Sequence, residues 1–412
     1  FFPTVGIGTG YNFNGVDSKR TTSSTNTYSV EAQLNQLLWN FGRTNAHIKM
    51  QKFYLIADKF VFDNTVRETI FNVKQKYYEV LAARTTVLIN QAYVDINERN
   101  YLRTKAYFDE GIKSKIDLVN AEVTLSDSKI TLIKSENTYK NSLVNLNNAM
   151  YLANAPTYSI SGTEDFNIKD NVAPVDLTKI TKPSDAEISQ VPVSVKDAKL
   201  ISSVEKLEVL ADYKVSEFPY SFEECIKMAY KNRADLKAYS STLDAVKENL
   251  LYVKRNYYPE LSATAGYGFR DTNRTSSINV GVNLSSSVNI MNQKAKVDAA
   301  KLQVDLAQNS LNQLNQDIYF DVQNAYIDMI ELEKQIPLLA VKVRQTFENY
   351  ELAEGRYYVG LGDYIQLQDA KVNYNNAQTS YIETIYKYNV ARANLESVIA
   401  LPQDVTITLE GK

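Results

Sequence analysis

One stretch occurs twice in this chain, and it constrains the fold more than any other. Tyr107 to Val123, YFDEGIKSKIDLVNAEV, has a twin at Arg356 to Val372, RYYVGLGDYIQLQDAKV. In each, a long helix-period pattern runs into a glycine, Gly111 or Gly360, the residue that takes the left-handed position after a helix at no steric cost. Ser114 and Asp363 follow as N-cap candidates. Asp117 and Gln366 stand three residues further on, at the spacing of a capping box that restarts a helix. Each stretch therefore reads as the tip of a helical hairpin. Gly360 minus Gly111 is 249, and Leu118/Leu367, Ala121/Ala370 and Val123/Val372 keep that offset. The chain is internally duplicated.

The same offset joins Ala46 to Ala295, Tyr77 to Tyr326, Leu146 to Leu395 and Leu152 to Leu401, so neither copy has a net insertion between those points. A surface helix can lose a turn freely. Helices that must reach one common plane cannot, and a fixed offset implies such a plane.

Bulk properties exclude several classes. A net charge of −3 over 412 residues, with no dense Lys/Arg run, speaks against a nucleic-acid surface. His47 and Cys225 are the single histidine and cysteine, which disfavours a histidine-based metal site, a catalytic relay or an intrachain disulfide. No catalytic residue, metal site or cofactor is assigned, and the chain is not read as an enzyme. No run of about 18 apolar residues is present, so any membrane passage would be made by β-strands. The chain opens at FFPTVGIGTGYNF without a signal peptide, and no helix pattern precedes Pro3 as one precedes Pro259. The expectation is a first repeat shown without its entry helix.

From Phe2 to Phe13 the residues alternate: Val5, Ile7, Thr9, Tyr11 and Phe13 on one face, Gly6, Gly8, Gly10 and Asn12 on the other. Period two predicts a strand. A polar loop is expected over Asn14 to Thr27, with a return strand through Tyr28, Val30, Ala32 and Leu34. After Pro259 the second repeat offers Leu261, Ala263, Ala265, Tyr267 and Phe269, then Ile278, Val280, Val282 and Leu284. The prolines are 256 apart against the helical offset of 249, so the first hairpin carries seven extra residues. Alternation serves equally a transmembrane strand with an aromatic girdle at Tyr11, Phe13, Tyr28, Tyr267 and Phe269, or a soluble sheet packed on helices. Four strands do not close a barrel, since the smallest filled barrels have about eight; three chains would supply twelve.

A helix is expected from Arg43 to about Glu110, roughly 100 Å at 1.5 Å per residue. Val66, Val73, Val80, Val87, Val94, Tyr101 and Phe108 recur every seven residues, as do Val322, Met329, Ile336, Val343, Tyr350 and Tyr357 in the second copy. Such spacing marks a coiled-coil seam. The companion stripe turns polar through Arg84, Gln91, Glu98 and Lys105, as in a wall of helices with one wet face. Pro337 falls inside the second long helix. Return helices run to about Leu152 and Leu401. Residues 154–219, rich in proline, break the pattern, and Ser221-Phe-Glu-Glu224 caps a further helix expected to run through the small buried Cys225 to Tyr257.

With its doubled tips, the hairpin entrances at Pro3 and Pro259 and the post-strand Trp39-Asn40-Phe41-Gly42, the chain resembles the TolC-like outer membrane efflux protein family. The resemblance implies a mainly α fold with a β-barrel. Residues 1–38 and 258–288 would form barrel hairpins, 39–153, 220–257 and 289–401 an α-helical barrel, and 154–219 and 402–412 equatorial or linker segments. It implies a homotrimer in the outer membrane of a Gram-negative (diderm) bacterium, in contact with its lipid and reaching into the periplasm. The partners implied are a periplasmic adaptor (a membrane fusion protein), docking at Gly111, Ser114, Gly360, Leu361, Gly362 and Asp363, and through it an inner-membrane transporter. The chain has no phosphate loop of its own, so passage would be passive.

The resemblance also carries gate residues onto this sequence. Asp117 and Asp369 match acidic positions lining the constriction, and Tyr357 matches a tyrosine that latches tip helices. Gln366 stands where well-studied members have a second aspartate, and Gly362 where they have a latch arginine; Lys113 occupies the position equivalent to Gly362 in the first tip. Helix capping accounts for Asp117 as well as a gate does, because acids are favoured in a first helical turn. The alternative for the whole chain is a periplasmic coiled-coil adaptor or scaffold without a channel.

Overall fold

Alternating apolar and small or polar residues give four strands, and heptad stripes give long paired helices. The computed structural model describes residues 2–18, 21–152, 218–271, 274–286 and 289–402. Most of the expected equatorial segments, 154–217 and 403–412, lies outside the described residues. The chain divides into two units, Phe1–Asn64 with Arg233–Asp317, and Thr65–Asn232 with Ile318–Lys412.

In the first unit, β1 (Thr4–Ser18), β2 (Thr21–Trp39), β3 (Glu260–Arg270) and β4 (Thr275–Ser285) form one antiparallel sheet in that order. The register carries the alternation across every strand. Val5 lies opposite Leu34, Leu34 opposite Ala265, and Ala265 opposite Val280; Ile7, Ala32, Tyr267 and Ile278 form a second such row. The other face holds rows such as Gly6, Gln33, Gly266 and Asn279. A slip of one residue in any strand would mix the two faces. Tyr11 and Tyr28 pair across β1 and β2 with ring centroids 4.8 Å apart.

The polar loop expected over Asn14 to Thr27 is instead mostly strand, with the ladder continuing from Asn14↔Thr25 to Ser18↔Thr21. Threonine and serine sustain a pleated ladder without supplying an apolar face, so hydropathy alternation ended before the hydrogen bonding did. The seven extra residues of the first hairpin lengthen its strands.

The first unit also contains the start of α1 (Arg43–Asp109), α4 (Ala234–Arg255) and the start of α5 (Ile290–Tyr358). The strand-to-helix turn before α1 uses Phe41 and Gly42 at positive φ, 53° and 79°. Arg255 donates to the Gly42 carbonyl at 2.6 Å, Phe41 stacks on Tyr258, and Arg43 pairs with Glu260. A side chain at position 42 would meet the Arg255 guanidinium at 3.1 Å and require it to shift slightly, so the glycine is called for chiefly by its φ.

In the second unit, α1 continues and is followed by α2 (Lys115–Ala149); the remainder of α5 is followed by α6 (Tyr364–Val398). The heptad seam of α5 is buried throughout, from Val322 and Met329 to Tyr350 and Tyr357, and so are Leu367, Tyr374, Tyr381, Tyr388 and Leu395 of α6. Tyr350 and Tyr374 stack with centroids 6.1 Å apart. In the first copy, Val87 and Val94 of α1 pack on Leu125 and Leu132 of α2. Ser128, Ser135 and Ser142 are buried in α2, each donating to the carbonyl three residues back, which satisfies the hydroxyls locally and permits close helix approach.

The helix expected from Ser221 to Tyr257 is two helices, α3 (Phe222–Asn232) and α4, broken at Arg233, whose ψ is 124°. Arg233 forms a forked pair with Asp235, so a local ion pair closes the break that sequence periodicity ran across. Ser221 and Glu224 form the expected capping box of α3, and Cys225 is fully buried in it.

Candidate functional site

Each hairpin tip is built by the chemistry its residues predict. Gly111 and Gly360 sit at φ 74° and 78°. Behind them the last carbonyls of the long helices are taken up: Ile112 N–H donates to the Tyr107 carbonyl at 2.8 Å, and Leu361 N–H to that of Arg356 at 2.9 Å. On the far side Ser114 caps α2. Its hydroxyl accepts from Asp117 N–H at 3.2 Å, while the Asp117 carboxylate accepts from Ser114 N–H and Oγ at 3.3 and 2.8 Å. Asp363 caps α6, accepting from Gln366 N–H at 2.7 Å.

The two tips meet through Tyr357 and its neighbours. Tyr357 is buried, and the Lys113 ammonium lies over its ring, 3.8 Å from the centroid. Lys113 also donates to the Tyr357 carbonyl at 3.3 Å. Tyr364 at the start of α6 shares a 2.9 Å hydrogen bond with Thr124 of α2. The Tyr357 hydroxyl and Thr104 Oγ1 are buried beside one another, each the other's polar neighbour. Burial pushes the Tyr357 phenol up to about 12, with Thr104 opposing and Asp117 adding to the rise, so the ring is neutral at any physiological pH.

One step inward, Tyr358 donates to Asn100 Oδ1 and lies under the Arg103 guanidinium at 4.2 Å. Arg103 is 3.8 Å from the Glu354 carboxylate. Lys371 of α6 is buried at this level, 2 % exposed. Sequence reading missed Tyr358, Arg103, Glu354, Thr104 and Lys371. For Lys371 a signal existed: it is the charged member of a seven-residue stripe, Tyr364, Lys371, Gln378 and Ile385, all buried.

Of the residues assigned to a constriction, Tyr357 is buried, Asp117 is half-buried in its cap, and Gln366 and Asp369 are exposed on α6. Gly111, Ser114, Gly360, Leu361 and Asp363 are exposed and Gly362 half-exposed. Around them stand apolar side chains open to solvent in the single chain, Ile112, Ile116, Val359, Leu361 and Ile365. The sheet presents a second exposed apolar face, with Val5, Ile7, Val280, Val282 and Leu284 each about two-thirds exposed or more. No helix among the described residues is long and apolar enough to cross a membrane. Farther from the tips, a cleft of about 1220 Å³ among the helices of the second unit is lined by Lys134 and Lys387 together with Glu79, Asp328, Glu331 and Glu383, an acidic excess of mixed charges.

Comparison with known proteins agrees with this geometry. A family described as outer membrane efflux protein matches residues 1–150 and 225–401. Among solved structures, CusC superposes with a TM-score of 0.75 at 14% identity, over 97% of this chain and 83% of its own. The Campylobacter jejuni outer membrane channel CmeC gives 0.73 at 14% identity, over 97% and 77%. The open state of the Neisseria gonorrhoeae outer membrane channel MtrE gives 0.70 at 16% identity, over 97% and 80%. At these identities the likeness is one of fold. No curated protein matches the chain in sequence. The family match selects the channel over the adaptor or scaffold alternative.

Proposed function

The chain belongs to the outer membrane efflux protein family, the non-enzymatic outer membrane channels of tripartite efflux systems, and we propose that its two hairpin tips form the constriction of such a channel and the surface that meets a periplasmic adaptor. The channel acts as a trimer and extends into the periplasm. The exposed apolar rows of the sheet are the lipid face of the barrel, since an open four-stranded sheet with such a face would otherwise aggregate.

The observation that carries the reading of the tips is the Lys113–Tyr357 contact, which ties the first hairpin to the second within one chain. With Gly362 at the position of a latch arginine, Lys113 takes the charged role from the other tip. Asp369, exposed and beyond the first turn of α6, owes nothing to capping and lines the narrowed end. Three copies around an axis, within a Debye length of about 8 Å, concentrate cations there. The exposed Leu361, Ile112 and Ile365 offer an adaptor an apolar patch, and the adaptor couples the duct to an energised inner-membrane transporter.

Single-channel recordings in planar bilayers test the constriction. Asp369→Asn is expected to reduce cation selectivity and relieve block by divalent cations. Unchanged selectivity and block would leave Asp369 a solvated helix residue and remove the acidic ring.

A further inference from the structure

The tip-side bundle of the second unit buries a charge-bearing side chain where a coiled coil ordinarily places an apolar one. Lys371 is 2 % exposed in the single chain, between α1 and α5. From α5 it is faced by Glu354, and from α1 by Arg103; α2 contributes no charge that acts on it. Glu354 is shared, because Arg103 is within 3.8 Å of it and the Tyr350 hydroxyl interacts with it as well. On α6 itself the residues one turn away, Leu367, Gln368, Tyr374 and Asn375, carry no charge. Glu354 is thus the one carboxylate acting on both cations, and Arg103 holds it within ion-pair distance, whereas Lys371 is buried with no ion pair of its own among the described residues.

The same turns are poor in compensating hydrogen bonds. Asn100 Nδ2 on α1 and Gln378 Nε2 on α6 are buried without a hydrogen-bond partner. Such groups cost stability when dry, so the layer gains little from staying packed and gains solvation by opening. The duplication supplies an internal contrast. At the offset of 249, Glu354 and Lys371 correspond to Lys105 and Glu122, the same pair reversed in sign, and both of these are exposed. Burial of the lysine belongs to the second hairpin alone.

We propose that Lys371 is a proton-operated catch in the tip-side bundle: neutral, it lets α6 lie packed against α1 and α5, and charged, it loosens that packing and biases the tips toward release. Burial lowers the Lys371 ammonium to about 7, with Glu354 opposing the fall and Arg103 adding to it. When the layer opens, water restores an ordinary lysine near 10.5. The open form therefore holds the extra proton between about pH 10.5 and 7, and lowering the pH through that window favours opening. Below about 7 both forms are charged and the effect levels off. Linkage puts the change between pH 8 and pH 6 at about tenfold in the opening equilibrium.

This inference rests on the tips being the closed end only for its effect on conduction, so the test reads packing and conduction separately. Amide hydrogen exchange of the detergent-solubilised full-length trimer is followed at pH 6, 7 and 8 over Tyr364–Gln378 and Asn97–Phe108, corrected for intrinsic exchange rates. Wild type is expected to show about tenfold more opening at pH 6 than at pH 8, with most of the change above pH 7. Lys371→Met is expected to remove the dependence and stay protected, and Lys371→Arg to exchange at the acid level at every pH. Glu354→Gln, which removes the opposing carboxylate, should move the levelling point to lower pH. A wild-type response that persists in Lys371→Met, or no response in wild type, overturns the catch. Where exchange responds through Lys371 but single-channel conductance does not, the catch stands and the tips are not the constriction.

Discussion

The Lys113 ammonium lies 3.8 Å from the centre of the Tyr357 ring and donates to the carbonyl of the same residue, so one side chain of the first tip holds both the ring and the backbone of the second. A cation–π contact contributes about 0.5–2 kcal/mol and a charged hydrogen bond about 1.5–3. Discounted for partial exposure, losing both costs about 1–2 kcal/mol. Lys113→Met should therefore raise the open probability of the resting channel roughly 5- to 30-fold in planar bilayers. Tyr357→Phe keeps the ring and removes a hydroxyl whose polar neighbour in the chain is Thr104. It should act far more weakly, and a Phe effect equal to that of Lys113→Met would mean that the hydroxyl, bonded across subunits, is the tie.

The apolar rows of the sheet predict a face-dependent penalty. Val280→Lys places a charge on the row of Val5, Leu34 and Ala265, whereas Asn279→Lys places it beside Gly266 on the opposite face. Denaturant unfolding in lipid vesicles should find the first destabilising by about 2–4 kcal/mol near the bilayer midplane and the second close to neutral. Equal effects would remove the lipid assignment of this face.

The cap of α2 offers a test at the first tip. Ser114→Ala removes the acceptor of Asp117 N–H and should cost about 1 kcal/mol, seen as faster amide exchange in the first turn of α2. Asp117→Asn should also speed that exchange. If it alters ion selectivity as much as Asp369→Asn while leaving exchange unchanged, Asp117 belongs to the constriction and not to the cap.

Much of this was legible in the sequence. Gly111 and Gly360, the caps at Ser114 and Asp363, the valine and tyrosine heptads and the paired hairpins rest on local rules with fixed spacings, and duplication let each be read twice. The continuation of β1 and β2 through Asn14 to Thr27 was not legible, because hydrogen bonding extended a ladder that hydropathy had stopped marking. The break at Arg233 depends on a contact with Asp235 that periodicity does not encode. For Lys371 the seven-residue stripe was a signal but an ambiguous one: which face of α6 is covered is decided by α1 and α5, hundreds or tens of residues away, and its twin Glu122 at the same heptad position is exposed.

Cys225 supplies a prediction free of any gate. It is fully buried in α3, and burial, with Glu224 adding to it, lifts its thiol to about 11. At pH 8 only about one molecule in a thousand would carry a thiolate, and reactivity follows the thiolate. N-ethylmaleimide should leave the native protein unlabelled over hours and label it fully once unfolded. Rapid labelling of the folded form would show that α3 opens on that timescale.

Duplication has a further consequence for any ring built from this chain. Three copies bring six tips that alternate between two kinds, one carrying Lys113 and the other Gly362 at the matching position. A ring of six identical hairpins would change all its positions with every mutation. Here a substitution in one tip alters every second position only, so the ring can be tuned on alternate sites while the others keep their original fit, and its effective symmetry is that of a triangle drawn inside a hexagon.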